Sequence, residues 1–92
     1  MPAVGSVAEY TVELKRSAEK ELARLPDDVL TRMIAKLEKL ATDPRPDGCT
    51  KLKGGRDEYR VRVGDYRAVY AIDDVERSVS VTRIRHRRDV YE

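Results

Sequence analysis

Tryptophan and phenylalanine are missing from these 92 residues, and every aromatic side chain is one of five tyrosines. A core built from this chain therefore has to be aliphatic, drawn from Leu, Val, Ile and Ala. Cysteine and histidine occur once each, at Cys49 and His86, which excludes an intramolecular disulfide and leaves a structural zinc site short of ligands. No metal and no cofactor is expected. No apolar run approaches the ~20 residues of a membrane-spanning helix, and the opening Met1-Pro2-Ala3-Val4-Gly5 lacks the basic and apolar regions of a signal peptide. The expectation is a cytoplasmic protein with no membrane partner. A chain of 92 residues suits one modest core rather than two, so residues 1–92 read as a single domain, with residues 1–8 a loose leader.

Charge, by contrast, is abundant and unevenly placed. Residues 1–50 hold 8 Lys/Arg against 9 Asp/Glu, whereas residues 51–92 hold 11 against 8. The positive surplus belongs to the second half, which suits a phosphate-rich partner, although a solvated basic surface produces the same count.

Alternation over residues 9–14, with Tyr10, Val12 and Leu14 facing one way, predicts a half-buried strand. Ser17 is placed to cap a helix whose Ala18, Leu22 and Leu25 share one face. Pro26-Asp27-Asp28 starts a second helix with Val29, Met33, Ile34, Leu37, Leu40 and Ala41 opposite Arg32, Lys36 and Lys39. The Asp43-Pro44-Arg45-Pro46-Asp47-Gly48 stretch ends it. From Tyr59 the period becomes two: Tyr59 to Val63, then Gly64-Asp65, then Tyr66 to Ile72, the pattern of a hairpin with a two-residue turn. A last strand runs from Val79 to His86, where Val79 and Val81 share one parity and Ile84 has the other, so a bulge is expected. The fold class that follows is α+β: an antiparallel-rich sheet in the order β-α-α-β-β-β, covered on one face by a helical hairpin and open on the other, with a short C-terminal tail.

Pairing about Gly64-Asp65 sets Val63 opposite Tyr66, Arg62 opposite Arg67, Val61 opposite Ala68, Arg60 opposite Val69 and Tyr59 opposite Tyr70. Register alone thus gathers Arg60, Arg62 and Arg67 on the open face. Like charges directly opposite one another are destabilising by ~0.2–1 kcal/mol. Either Asp57, Glu58 or Asp65 neutralises them, or a polyanion does, through guanidinium–phosphate contacts. The last segment adds Arg83, Arg85, His86, Arg87, Arg88 and Tyr91. A histidine transfers protons in either direction near neutrality, given its ordinary pKa of ~6.5. Tyr91 is suited either to dock the C-terminus or to stack on a base.

At Leu52-Lys53-Gly54, at Tyr59-Arg60-Val61-Arg62-Val63-Gly64-Asp65-Tyr66-Arg67-Ala68-Val69-Tyr70 and at His86-Arg87-Arg88-Asp89-Val90-Tyr91, the chain resembles the RelE/ParE toxin superfamily. The similarity runs from residue 10 to residue 91 and includes the Tyr-Thr-Val opening, the Ala-Glu-Lys-Glu-Leu-Ala-Arg-Leu-Pro first helix and the Leu-Ala-Thr-Asp-Pro close of the second. It implies a RelE-like, microbial-RNase-type fold and a ribosome-dependent messenger-RNA endoribonuclease that inhibits translation. Arg60 and Arg62 match two basic strand positions, Arg67 an arginine of the following strand, Arg87 a basic residue that protonates the leaving group, and Tyr91 a C-terminal tyrosine that stacks on the substrate. His86 matches a position where His or Lys occurs.

The implied reaction is attack by a ribose 2′-OH on the adjacent phosphate, releasing a 5′-OH and leaving a cyclic phosphate, without a metal. Arg60, Arg62 and Arg67 would stabilise the phosphate charge, while the proton transfers fall to His86 on physical grounds or to Arg87 on the resemblance. Lys51, Lys53, Arg83, Arg85 and Arg88 are expected to bind RNA around this catalytic group. Expected partners are the ribosome, its mRNA and a RelB-like antitoxin wrapped on the toxin as a hetero-oligomer. The alternatives are a ParE-like gyrase poison without nuclease chemistry, and an inactive relative that only binds RNA or antitoxin.

Overall fold

The computed structural model describes residues 9–53 and 57–90, with side chains through Arg88. The expected leader at 1–8 and Tyr91 lie outside the described residues. The elements are β1 (Thr11–Leu14), α1 (Arg16–Ala23), α2 (Asp27–Lys39), β2 (Thr50–Lys51), β3 (Glu58–Val63), β4 (Tyr66–Asp73), β5 (Ser78–His86) and α3 (Arg87–Val90). The α+β class and the β-α-α-β-β-β succession both hold. Two short elements were not read from the sequence: β2, whose two residues are too few to show a period, and the single turn α3, where only a tail was expected.

The sheet runs β1-β5-β4-β3-β2. β1 lies parallel to β5, and the other neighbours are antiparallel. The β3–β4 register is the one that symmetry about Gly64-Asp65 predicts, from Tyr59↔Tyr70 to Val63↔Tyr66. Gly64 has φ +59 while Asp65 is not among the residues with positive φ. That is the pattern of a type II′ turn, whose first central position suits glycine.

One face of the sheet carries Tyr59, Val61, Val63, Ala68, Tyr70, Ile72, Val79, Val81 and Ile84, which join Ala18, Leu25, Met33, Leu37 and Leu40 in the core. Asp27 and Asp28 in the first turn of α2, and Lys36 and Lys39 in its last, complement the helix dipole. Ser17 does not cap α1. The helix begins two residues earlier, with Lys15 at the N-cap and no side-chain cap bond, and Ser17 Oγ donates to the Thr82 carbonyl at 2.9 Å.

The expected bulge is present. Between β4 and β5 the partner changes from Val69↔Arg83 to Tyr70↔Val81, leaving Thr82 as the extra residue. Thr82 Oγ1 donates to the Val69 carbonyl at 3.2 Å. This insertion resets the parity, so Val79, Val81 and Ile84 all reach the core while Arg83 and Arg85 face out.

Candidate functional site

The open face at the Gly64-Asp65 end of the sheet is built from three strands. Arg62 on β3 stands opposite Arg67 on β4, and Arg67 stands opposite Arg85 on β5. Three arginines therefore lie abreast, with Arg60 one pleat along from Arg62. Arg87 enters from the start of α3: its N–H donates to the Asp65 carbonyl at 2.6 Å, and its Nη1 lies 3.7 Å from Asp65 Oδ1. This ties the helical turn to the hairpin.

Among the described residues, no ion pair involves Arg60, Arg62 or Arg67; Asp57 lies 4.0 Å from Lys51 instead, and Asp65 faces Arg87. Arg67 Nη1 is buried without a hydrogen-bond partner. Burial, followed by the charges of Arg62, Arg60 and Arg87, holds the Arg67 guanidinium below the ordinary arginine range. The like charge gathered around the half-buried Arg67 is an arrangement that a bound phosphate would relieve.

Arg83 and Arg85 reach the same face but are not free. Glu21 of α1, which the sequence reading did not single out, lies 3.0 Å from Arg83 Nη2 and 3.5 Å from Arg85 Nε, and accepts the Ile84 N–H at 2.7 Å. Burial alone would raise the Glu21 pKa. The Arg83 and Ile84 hydrogen bonds and the two arginine charges outweigh burial and bring it below the ordinary carboxylate value.

His86 stands apart from the row. The bulge places it opposite Tyr66, on the parity of Ile84 and Ala68 rather than that of Arg67 and Arg85. Its ring meets Tyr66 edge-on at 5.1 Å, and Nδ1 accepts the Arg88 N–H at 3.3 Å. Lys51 pairs with Tyr59 at the sheet edge while its neighbour Thr50 sits beside Arg60, so Lys51 leaves the open face. Lys53 and Arg88 are exposed at the periphery.

The far half of the open face has the opposite sign. Asp57, Glu58, Asp73 and Asp74 border a groove of about 670 Å³ floored by Ser78 and Ser80. Arg45 pairs with Asp74 at 2.9 Å and Lys51 lies 4.0 Å from Asp57, and the remaining Glu58 and Asp73 make this half less favourable to a polyanion than the arginine end. Among the described residues no cluster of His, Cys, Asp and Glu is arranged to hold a metal, and no helix is long and apolar enough to cross a membrane.

Residues 12–91 match the family described as the ParE toxin of the parDE type II toxin–antitoxin system. RelE1 of Methanocaldococcus jannaschii is 31% identical over 85 residues, covering 89% of this chain and 94% of its own. Toxin RelG of Mycobacterium tuberculosis is 30% identical over 83 residues, covering 89% and 95%. The archaeal RelE–RelB complex from Pyrococcus horikoshii contains a chain that superposes with a TM-score of 0.77 at 27% identity, over 86% of this chain and 96% of that one. The chain belongs to the RelE/ParE superfamily of type II toxin–antitoxin toxins, and its likeness is to the RelE branch in particular.

Proposed function

We propose that this toxin is a ribosome-dependent messenger-RNA endoribonuclease. The observation that carries the reading is the Arg62-Arg67-Arg85 row with the buried, unpartnered Arg67 Nη1 at its centre. Arg60, Arg62 and Arg67 stabilise the charge that accumulates when a ribose 2′-oxygen bonds to the adjacent phosphorus and the bond to the 5′-oxygen breaks. The products are a cyclic phosphate and a 5′-OH. Arg87, held at the edge of the row by Asp65, is assigned to the leaving oxygen, and Tyr91 to stacking on the substrate base. His86 orders the entry to α3 through Arg88 and Tyr66, a supporting part rather than that of proton carrier. An arginine stays protonated far above neutral pH and is a poor base, so alignment of the message by ribosomal RNA is part of the proposal.

The partner is a RelB-like antitoxin, as supported by the Pyrococcus horikoshii relative, which was solved with RelB. A groove of about 230 Å³ lined by Val12, Leu14, Leu22, Ile34 and Leu37, with Ile34 39% exposed, offers an apolar seat for an amphipathic segment of that partner.

Purified toxin added to a cell-free translation reaction, with message ends mapped by primer extension, tests the reading. Cuts that require ribosomes and vanish in Arg67→Ala and Arg87→Ala are the expected result. Intact messages with normal translation refute it. The match to the ParE family favours gyrase poisoning as the second reading, and loss of DNA supercoiling by purified gyrase in the toxin's presence would establish that instead.

A further inference from the structure

Pairing between β1 and β5 ends at Leu14↔Val81, because the chain turns into α1 at Lys15. Among the described residues, no strand lies beside the outer edge of β5 beyond that point. Two α1 side chains one turn apart take over its backbone groups: Ser17 donates to the Thr82 carbonyl and Glu21 Oε1 accepts the Ile84 N–H. Water would satisfy an edge N–H equally well, so the fold by itself does not demand a carboxylate here. Glu21 nevertheless sits with its side chain only 21% exposed, and its second oxygen engages Arg83 and Arg85. Taking a carboxylate this far out of water carries a desolvation cost, which the two cations and the N–H offset.

Arg85 is also the β5 member of the arginine row, directly beside Arg67. Three unrestrained guanidinium groups abreast would splay to reduce their repulsion. Anchoring the outermost one limits how far the row can splay.

We infer that Glu21 is a positioning residue of the phosphate-binding face, holding Arg85 and its neighbour Arg83 at the β5 end of the row so that the half-buried Arg67 between them and Arg62 keeps its place facing the RNA. The inference rests on the nuclease reading for what the row does to RNA, but the contact itself is independent of activity. It also makes an unusual pair of demands. Removing Glu21 adds net positive charge, which strengthens non-specific RNA binding, while it disorders the row and slows cleavage. A residue that merely stabilised the fold would weaken both.

Glu21→Gln keeps a carbonyl oxygen for the Ile84 N–H and removes the charge. Its cleavage of ribosome-bound message, and its binding of a short RNA made uncleavable by a 2′-deoxy substitution, are to be measured in wild-type and Arg85→Ala backgrounds. The expected result is a loss in kcat of about 10-fold or more, RNA binding about 2–5-fold tighter at low salt, and no further kcat loss where Arg85 is already gone. Wild-type kcat, equal losses in the two backgrounds, or RNA affinity falling together with kcat would overturn the inference. Should Glu21→Gln not fold, Glu21→Asp keeps the charge but withdraws it by one methylene: reduced kcat without tighter RNA binding supports the role, and unchanged kcat removes it. If the wild-type protein cuts no message, the nuclease reading fails on its own, and the Arg85 Nε–H resonance decides the positioning role. Slow exchange in wild type that is lost in Glu21→Gln sustains it; the same exchange in both overturns it.

Discussion

Replacing Arg67 with Gln separates binding chemistry from folding, because the two respond in opposite directions. The side chain stands between Arg62 on one strand and Arg85 on the other, so its charge takes part in two directly opposed like-charge pairs. Each such pair is unfavourable by ~0.2–1 kcal/mol in a sheet, and with salt screening the sum is about 0.5–1 kcal/mol. Glutamine keeps much of the aliphatic stem that packs on the sheet and discards the charge. Thermal unfolding of Arg67→Gln is therefore expected at a temperature about 2–8 °C higher than wild type, using the usual scaling for a domain of this size. Message cleavage should fall by ~10²–10³-fold, the loss typical of one preorganised oxyanion donor. The assays are circular dichroism melting in low and high salt, where added salt shrinks the difference, and primer extension on translated message. A lower melting temperature together with wild-type cleavage would refute the reasoning, since Arg67 would then be a satisfied structural cation.

Glu21 makes the fold sensitive to acid. Its carboxyl is held below its ordinary value in the folded protein, so the stability it supplies is present above the unfolded pKa and is lost as pH falls through the folded one. Urea midpoints measured from pH 6 down to pH 3 should drop more steeply for wild type than for Glu21→Gln, and parallel profiles would contradict the ion-pair geometry. Arg77 occupies the β4–β5 turn with φ +56, a left-handed conformation that disfavours a side chain. Arg77→Gly should stabilise by about 0.5–1 kcal/mol, after allowing for the flexibility that glycine adds to the unfolded chain, as read from the denaturation midpoint. Tyr70 is fully buried, and its hydroxyl donates to the Pro44 carbonyl at 2.8 Å. Tyr70→Phe leaves that acceptor unpaired and should cost about 1–3 kcal/mol by the same measurement.

The hairpin was legible in the sequence because a glycine-initiated two-residue turn leaves only one register, and that register placed Arg62 opposite Arg67 without reference to anything distant. The bulge was legible for a related reason: Val79, Val81 and Ile84 cannot all be buried on an unbroken strand. Its consequence for His86 was not drawn. The same shift that brings Ile84 inward carries His86 to the Tyr66 side, away from the arginines. The expected Ser17 cap failed because α1 starts at Arg16, which puts Ser17 inside the first turn, where its hydroxyl donates to the Thr82 carbonyl that only the folded sheet brings near. That Lys51 pairs with Tyr59 and leaves the open face was not legible, because two residues carry no period of their own.

Local chemistry in the chain determined by itself the aliphatic core, the two helices, the hairpin register, the bulge and the gathering of basic residues near the C-terminal end, since each depends on side-chain periodicity or on a turn a few residues long. The tertiary structure alone decided which arginines are neutralised and which are not. Glu21 and Arg83 are 62 positions apart, and they meet because β1 ends at Leu14 and leaves the edge of β5 to a helix. No periodicity encodes where one strand stops beside another, so the charge balance of the arginine face is a property of the packed sheet.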